Sequence, residues 1–214
     1  MFRSTDLDES DEPQPPLTGH LLRSALDRVA DTLRDQGHYI EIVAVGGAVN
    51  TLLLGSRETT TDVDFLYYSV QDDMTVKDLL HAAQSVARSA GIRDEQWLNN
   101  HTESFIQKSV LGSLYQESVT QNRIVFDAGG LKVYAAAWPF AFVQKVIRNG
   151  STQQKSYDID DAVAYLKEMK NGADLSFGTV QGWAKKYKLP APQLASFEEI
   201  IGKYRQELDE WQSL

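Results

Sequence analysis

An apolar run, Ile40-Glu41-Ile42-Val43-Ala44-Val45, stops at Gly46-Gly47, and a second run, Val63 to Tyr68, opens on Asp62-Val63-Asp64. Short apolar stretches bounded by turn residues read as buried strands. Two such strands belong in a sheet whose faces are covered by the rest of the chain. The glycine pair turns the first strand directly into Ala48–Leu54, which reads as a short helix.

The other segments supply the cover. Leu21, Leu22, Ala25, Val29 and Leu33 recur at helical spacing and predict a helix over Thr18–Gln36, closed by Gly37. Leu79, Leu80, Ala83, Val86 and Ala87 predict another over Val76–Ala90, closed by Gly91. Arg93–Thr120 is mixed, with helical character around Ser104–Leu114. Arg123–Asp127 and Leu131–Ala135 read as two strands joined by Ala128-Gly129-Gly130. Beyond Trp138 the pattern is helical throughout, over Pro139–Arg148, Asp158–Lys170, Phe177–Lys188 and Phe197–Trp211. Ser196 and Glu199 read as a capping box for the last of these. The expected organisation is an acidic, disordered tail over residues 1–16, an α/β core over 17–136 and a helical C-terminal region over 137–214. The fold class is α/β (α+β), a small mixed sheet with flanking helices.

Composition narrows the function classes. The chain has 214 residues, 42% hydrophobic and 24% charged, which is ordinary for a globular protein with a full core. It has no cysteine, which excludes disulfides and cysteine-bearing zinc sites. No run approaches the ~20 apolar residues that span a bilayer. The acidic N-terminus has no apolar core of the signal-peptide kind. The expectation is a soluble cytoplasmic protein without a membrane partner. Net charge is −9, with Asp6, Asp8, Glu9, Asp11 and Glu12 set against Arg3 near the N-terminus. That balance argues against a broad basic face for duplex nucleic acid and leaves room for a local basic channel.

The candidate chemistry sits at the two strand ends. Gly46 and Gly47 allow a sharp turn and leave backbone amides open to an anion, and the helix that follows adds free N–H groups. A plain strand-to-helix turn is the alternative. In a strand, residues i and i+2 share a face, so Asp62 and Asp64 project side by side while Val63 and Phe65 point the other way. Paired hard oxygen donors suit Mg²⁺ or Mn²⁺ held together with substrate phosphates. A solvated acidic strand end is the alternative.

Taken in order, Val45-Gly46-Gly47-Ala48-Val49-Asn50, Gly55-Ser56-Arg57 and Asp62-Val63-Asp64-Phe65 resemble the signature of the DNA polymerase β-like nucleotidyltransferase superfamily. CCA-adding enzymes and poly(A) polymerases carry a similar G-G-x-V-R-D-x-L-L-G-R and D-x-D. The chain has Asn50 at their arginine and shows no E-D-x-x-R element, which disfavours CCA addition. It looks most like the AbiEii and MNT toxin-type nucleotidyltransferase-like proteins. Trp97-Leu98-Asn99-Asn100, Lys145, and Asp158 and Asp161 are similar to elements of that group, the last loosely.

The resemblance implies a nucleotidyltransferase fold. It also implies transfer of a nucleoside monophosphate from a nucleoside triphosphate to an acceptor hydroxyl on RNA, protein or a small molecule. Asp62 and Asp64 would be metal ligands and catalytic groups. Asp127 would be the third carboxylate, or else a turn aspartate before Gly129-Gly130. Gly46, Gly47, Ser56 and Arg57 would hold phosphates. Arg57 has a surface pair with Glu58 as its alternative. Lys145, on a mostly apolar helix, would either snorkel outward or point toward phosphate. Asp158, Asp160 and Asp161 would either join the site or charge a helix N-terminus. A chain with this fold and no activity, binding a nucleotide or a protein partner, is the competing expectation.

The remaining polar and aromatic residues carry weaker signals. His20, His38, His81 and His101 lack metal-ligand spacing. Trp97, Trp138, Trp183 and Trp211 are expected in packing roles, with one of them free to stack on a base. Lys185, Lys186 and Lys188 read as a solvated helix face, with contact to nucleic acid as the alternative.

Overall fold

The computed structural model describes residues 15–69, 74–169 and 172–212. The expected acidic tail lies outside the described residues except for Pro15 and Pro16, which have no regular structure.

Leu17–Thr18 (β1) leads into α1, Gly19–Asp35, whose N-terminus is capped by the Thr18 hydroxyl accepting from the Leu21 amide. Strand β2 is Ile40–Val45. The segment after it is helical, as the spacing predicts, but its winding loosens. Gly47–Val49 (α2) runs into a single π-helical stretch, Asn50–Leu54. Then come β3 (Thr59–Thr60), β4 (Val63–Leu66) and α3 (Met74–Ala90). The mixed region resolves into β5 (Leu98–Asn99), a 3₁₀ turn over His101–Phe105 and α4 (Lys108–Gln121). The hairpin is β6 (Ile124–Ala128) and β7 (Leu131–Ala135). Helices α5 (Trp138–Asn149), α6 (Asp158–Glu168), α7 (Phe177–Lys186) and α8 (Leu194–Gln212) complete the chain.

Five strands form one mixed sheet in the order β5-β4-β2-β7-β6, and β1 pairs with β3 apart from it. The fold is thus mixed α/β. Strand β2 is central. It runs antiparallel to β4, with Val45 opposite Asp64, and parallel to β7, with Ile40 opposite Leu131.

Alternation along the strands divides the core. Ile40, Ile42, Ala44, Val63, Phe65 and Val133 face the layer built by α1 and α3, which also takes in α5, α6 and α8. Val43, Val45, Leu66 and Tyr134 face α4 and the start of α5. Val63 and Phe65 are buried as the alternation requires, so Asp62 and Asp64 project toward the α4 side.

The capping box expected at Ser196 and Glu199 is not formed. Helix α8 begins earlier, at Leu194, and both side chains lie within it. Ser196 donates to the Val146 carbonyl and accepts from the Asn149 amide, which also donates to Glu199. A buried Asn149 needing acceptors outweighs a local cap. No helix among the described residues is long and apolar enough to cross a membrane.

Candidate functional site

The glycine turn is built as its sequence suggests. Gly46 has φ 67° and ψ −130°, a conformation closed to residues bearing a Cβ. Gly47 is needed for space, because a Cβ there would lie 2.2 Å from the Thr60 hydroxyl. The turn is held by Asn50, whose side chain is fully buried. Its amide donates to the Gly46 carbonyl at 3.1 Å and to the Tyr165 hydroxyl at 2.9 Å, and its oxygen accepts from Ser56 at 3.0 Å. Asn50 therefore ties the turn, the Gly55-Ser56 loop and α6 together. Its place in the π-helical stretch brings the side chain inward to do so.

Asp62 and Asp64 stand beside this turn, because Val45, the residue before the glycines, is the direct partner of Asp64. Burial, the Asp64 charge and the Asp94 carboxylate push the Asp62 carboxyl up to about 6, against the hydrogen bond from Thr61 and the pull of Arg57. Burial also raises Asp64, opposed by hydrogen bonds from Thr102 and Asn99 and by the charges of His101 and Arg148. Asn99 reaches Asp64 because β5 adds parallel to β4 with the two residues in register. Two half-buried carboxylates with suppressed ionisation form a donor set that a small hard cation fits, since binding one relieves both burial and repulsion.

Asp127 does not join them. Strand β7 lies next to β2 and parallel to it, so the hairpin sends β6 to the sheet edge and returns its end to the start of β2. Lys132 partners Glu41 on one side and Asp127 on the other, whereas Asp64 partners Val45 at the far end of β2. Four residues along the strand and three strand spacings across place Asp127 roughly 20 Å from Asp64. Asp127 is 45% exposed and pairs with Lys132 at 3.1 Å. It lies within β6 itself, opposite Lys132, rather than in the turn that follows. Among the described residues no group of three or more histidines and carboxylates converges as metal ligands would.

The cations expected at phosphates are brought together, and carboxylates come with them. Arg57 does not pair with Glu58. It forks onto Asp161, with Nε 2.8 Å from Oδ1 and Nη2 bonded to Oδ2, and its guanidinium lies 3.5 Å over the Tyr157 ring. Lys145 does not snorkel. It is buried, 2.6 Å from Asp161 and 3.3 Å from Asp158. Burial lowers its pKa, with Arg148 and Arg57 pushing the same way against the pull of Asp161. Arg148 completes the cluster, its Nε 2.8 Å from Asp158. Burial would raise Asp158, but Arg148, the Lys155 amide and Lys145 outweigh it and hold the carboxyl below its ordinary range. Asp158 and Asp161 are thus fully buried counter-ions rather than simple helix-end charges, while exposed Asp160 pairs with Lys203. Three cations face two carboxylates, so the cluster keeps a positive excess, and the fields of Arg57 and Arg148 reach Asp62 and Asp64 respectively.

Ser56 is placed differently from its expectation. Its hydroxyl serves Asn50, and it lines a cavity of about 310 Å³ whose wall carries Asp160, Glu168, Glu207 and Lys167. That carboxylate-rich wall is a poor phosphate pocket.

Sequence reasoning missed Arg148, Tyr157, Thr102 and the roles of Asn50, Asn99 and His101. Arg148 lies one helical turn after Lys145, a spacing that would have marked it. Trp97 and Trp138 are buried, Trp97 donating to the Ala83 carbonyl and Trp138 stacking on Tyr165 at 5.6 Å. Lys186 pairs with Glu117 and Lys188 donates to Ser109, so part of the basic cluster clamps α7 to α4. Comparison with family models, curated proteins and solved structures found no match.

Proposed function

We propose that this chain is a metal-dependent nucleotidyltransferase that moves a nucleoside monophosphate from a nucleoside triphosphate to an acceptor hydroxyl on RNA, protein or a small molecule. The observation that carries the reading is the register of Val45 with Asp64, which sets a carboxylate pair beside a glycine turn and within reach of a cluster with excess positive charge. On this reading the five-stranded sheet is the nucleotidyltransferase core, α5 and the Gly55–Arg57 loop bring the cations to it, and α6 brings their counter-ions.

Asp62 and Asp64 would hold Mg²⁺ or Mn²⁺, which supplies charge neutralisation at the phosphates when bound. The Gly46–Gly47 amides, Arg57, Lys145 and Arg148 would orient and neutralise the outer phosphates. The acceptor hydroxyl gives its proton to solvent as its oxygen bonds to the α-phosphorus, the bond from that phosphorus to its β-bridging oxygen breaks, and pyrophosphate leaves. Such transfers depend mainly on positioning and electrostatics, which this donor set can supply without a side-chain nucleophile.

The test is incorporation of labelled nucleoside monophosphate from each of the four triphosphates into RNA and protein acceptors. Wild-type activity that is lost in Asp62→Asn/Asp64→Asn supports the proposal, and activity that survives the double change overturns it.

A second reading draws on the position of Asp127 and on the engagement of Arg57 and Lys145 by Asp161. On it, the chain binds a nucleotide or a protein partner and transfers nothing. Calorimetry with Mg²⁺ and a triphosphate separates the two: binding without turnover favours this reading.

A further inference from the structure

Tyr157 caps the start of α6 and is followed directly by Asp158, with Asp161 one turn on. Its carbonyl accepts from the Asp161 amide at 3.0 Å, so the ring and both counter-ions are fixed on one helical turn. Each counter-ion takes an arginine in the same way. Arg57 gives Nε and Nη2 to Asp161, and Arg148 gives Nε and Nη2 to Asp158. Both guanidinium carbons lie near the Tyr157 ring, Arg57 at 3.5 Å from its centroid and Arg148 at 5.6 Å.

This arrangement leaves Nη1 of each arginine without a protein acceptor among the described residues. Both are open to solvent, because Thr51 Oγ1 is the one buried side-chain polar atom without a partner among the described residues. For Arg57 the direction is set by the glycine turn: a Cβ on Gly47 would lie 3.4 Å from Nη1. That turn follows Val45, the partner of Asp64. The charge of Arg57 acts on Asp62 and that of Arg148 on Asp64, so both guanidiniums stand at the carboxylate pair.

We propose that Tyr157 is a positioning residue for the triphosphate: its ring holds Arg57 and Arg148 so that their Nη1 groups grip the outer phosphates beside Asp62 and Asp64. The proposal rests on the nucleotide-binding reading above. A two-pronged bond fixes two nitrogens and leaves the guanidinium plane free to pivot about the carboxylate. An aromatic face laid against the plane removes that freedom and attracts the cation. The same attraction offsets the repulsion between the two arginines. A guanidinium has five N–H donors and each fork uses only part of them, so Asp158 and Asp161 aim the arginines without exhausting them.

The test is calorimetric titration of the full chain with ATP and with inorganic tripolyphosphate, each with Mg²⁺. The proteins compared are wild type, Tyr157→Phe, Tyr157→Leu and a chain carrying pentafluorophenylalanine at position 157. The fluorinated ring keeps nearly the shape of phenylalanine and loses the negative face that attracts a cation. Tyr157→Phe should bind both ligands as wild type does. Tyr157→Leu and the fluorinated protein should bind both more weakly and by the same factor, roughly 3- to 30-fold. Equal binding by the phenylalanine and fluorinated proteins overturns the proposal, and does so even where Tyr157→Leu fails to fold. Loss of ATP affinity with tripolyphosphate unchanged also overturns it, because the ring would then be stacking on the base. In both cases wild type still binds and the nucleotide reading stands. Failure of wild type to bind either ligand overturns the nucleotide reading, and the positioning role with it.

Discussion

Arg57 and Asp161 are 104 residues apart in sequence and form a two-pronged ion pair, with Asp161 fully buried and Arg57 only 12% exposed. The pair locks the loop after the π-helical stretch to the first turn of α6. Removing the guanidinium leaves a buried carboxylate with Lys145 as its remaining cation. Arg57→Ala should therefore destabilise the protein by about 3 kcal/mol, the cost typical of breaking a buried pair. Arg57→Ala/Asp161→Ala should cost less than the sum of the two single changes. Urea denaturation midpoints at constant slope measure both.

The carboxylate pair makes stability depend on pH in an unusual direction. Asp62 is raised from 3.8 to about 6 by burial, then by Asp64, and Asp64 is raised too. Between those values the folded state keeps a proton that the unfolded state has lost. Metal-free stability should therefore fall as pH rises from about 4 to about 6, by roughly 1–2 kcal/mol after allowance for solvent screening, and level off above. Asp158, which is lowered, acts with the opposite sign and below this window. Asp62→Asn should flatten the fall, and a fixed concentration of Mg²⁺ should stabilise wild type more at pH 7.5 than at pH 5. Urea melts at the two pH values, with and without Mg²⁺, provide the check.

The glycine turn is intolerant of a methyl group for a specific reason. Gly47→Ala would drive its Cβ onto the Thr60 hydroxyl and should cost about 1–3 kcal/mol. Thr60→Ala removes that oxygen but leaves the Thr60 Cβ, 3.1 Å from the added methyl. The double variant should recover part of the loss. Thermal unfolding of the single and double variants measures the recovery.

Asp127 separates a carboxylate that looks catalytic from carboxylates that share a site. Its pair with Lys132 is partly exposed, so Asp127→Asn should change stability by no more than ~1 kcal/mol. Triphosphate binding should also be unchanged, in contrast to Asp62→Asn. Calorimetric titration of the two variants side by side tests this.

Much of the fold was legible because local physics dictated it. Apolar alternation and helical spacing placed β2, α1, α3, the β6–β7 hairpin and the C-terminal helices to within a few residues. The two-residue strands β1, β3 and β5 were not legible, because strands that short have no period to detect. The carboxylate pair could be read from the chain, since i and i+2 on a strand share a face wherever the strand goes.

Gly46, Gly47, Asp62 and Asp64 thus belong to what the chain determined unaided: a turn, a strand and their side-chain directions are local properties. Which cations and carboxylates would face one another was decided only by tertiary structure. The placement of β7 parallel to β2 carried Asp127 to the opposite end of the sheet. The docking of α6 against α5 and the Gly55–Arg57 loop gave Asp161 to both Arg57 and Lys145. Ion pairing between segments a hundred residues apart depends on sheet order and helix packing, and neither is written in any local pattern.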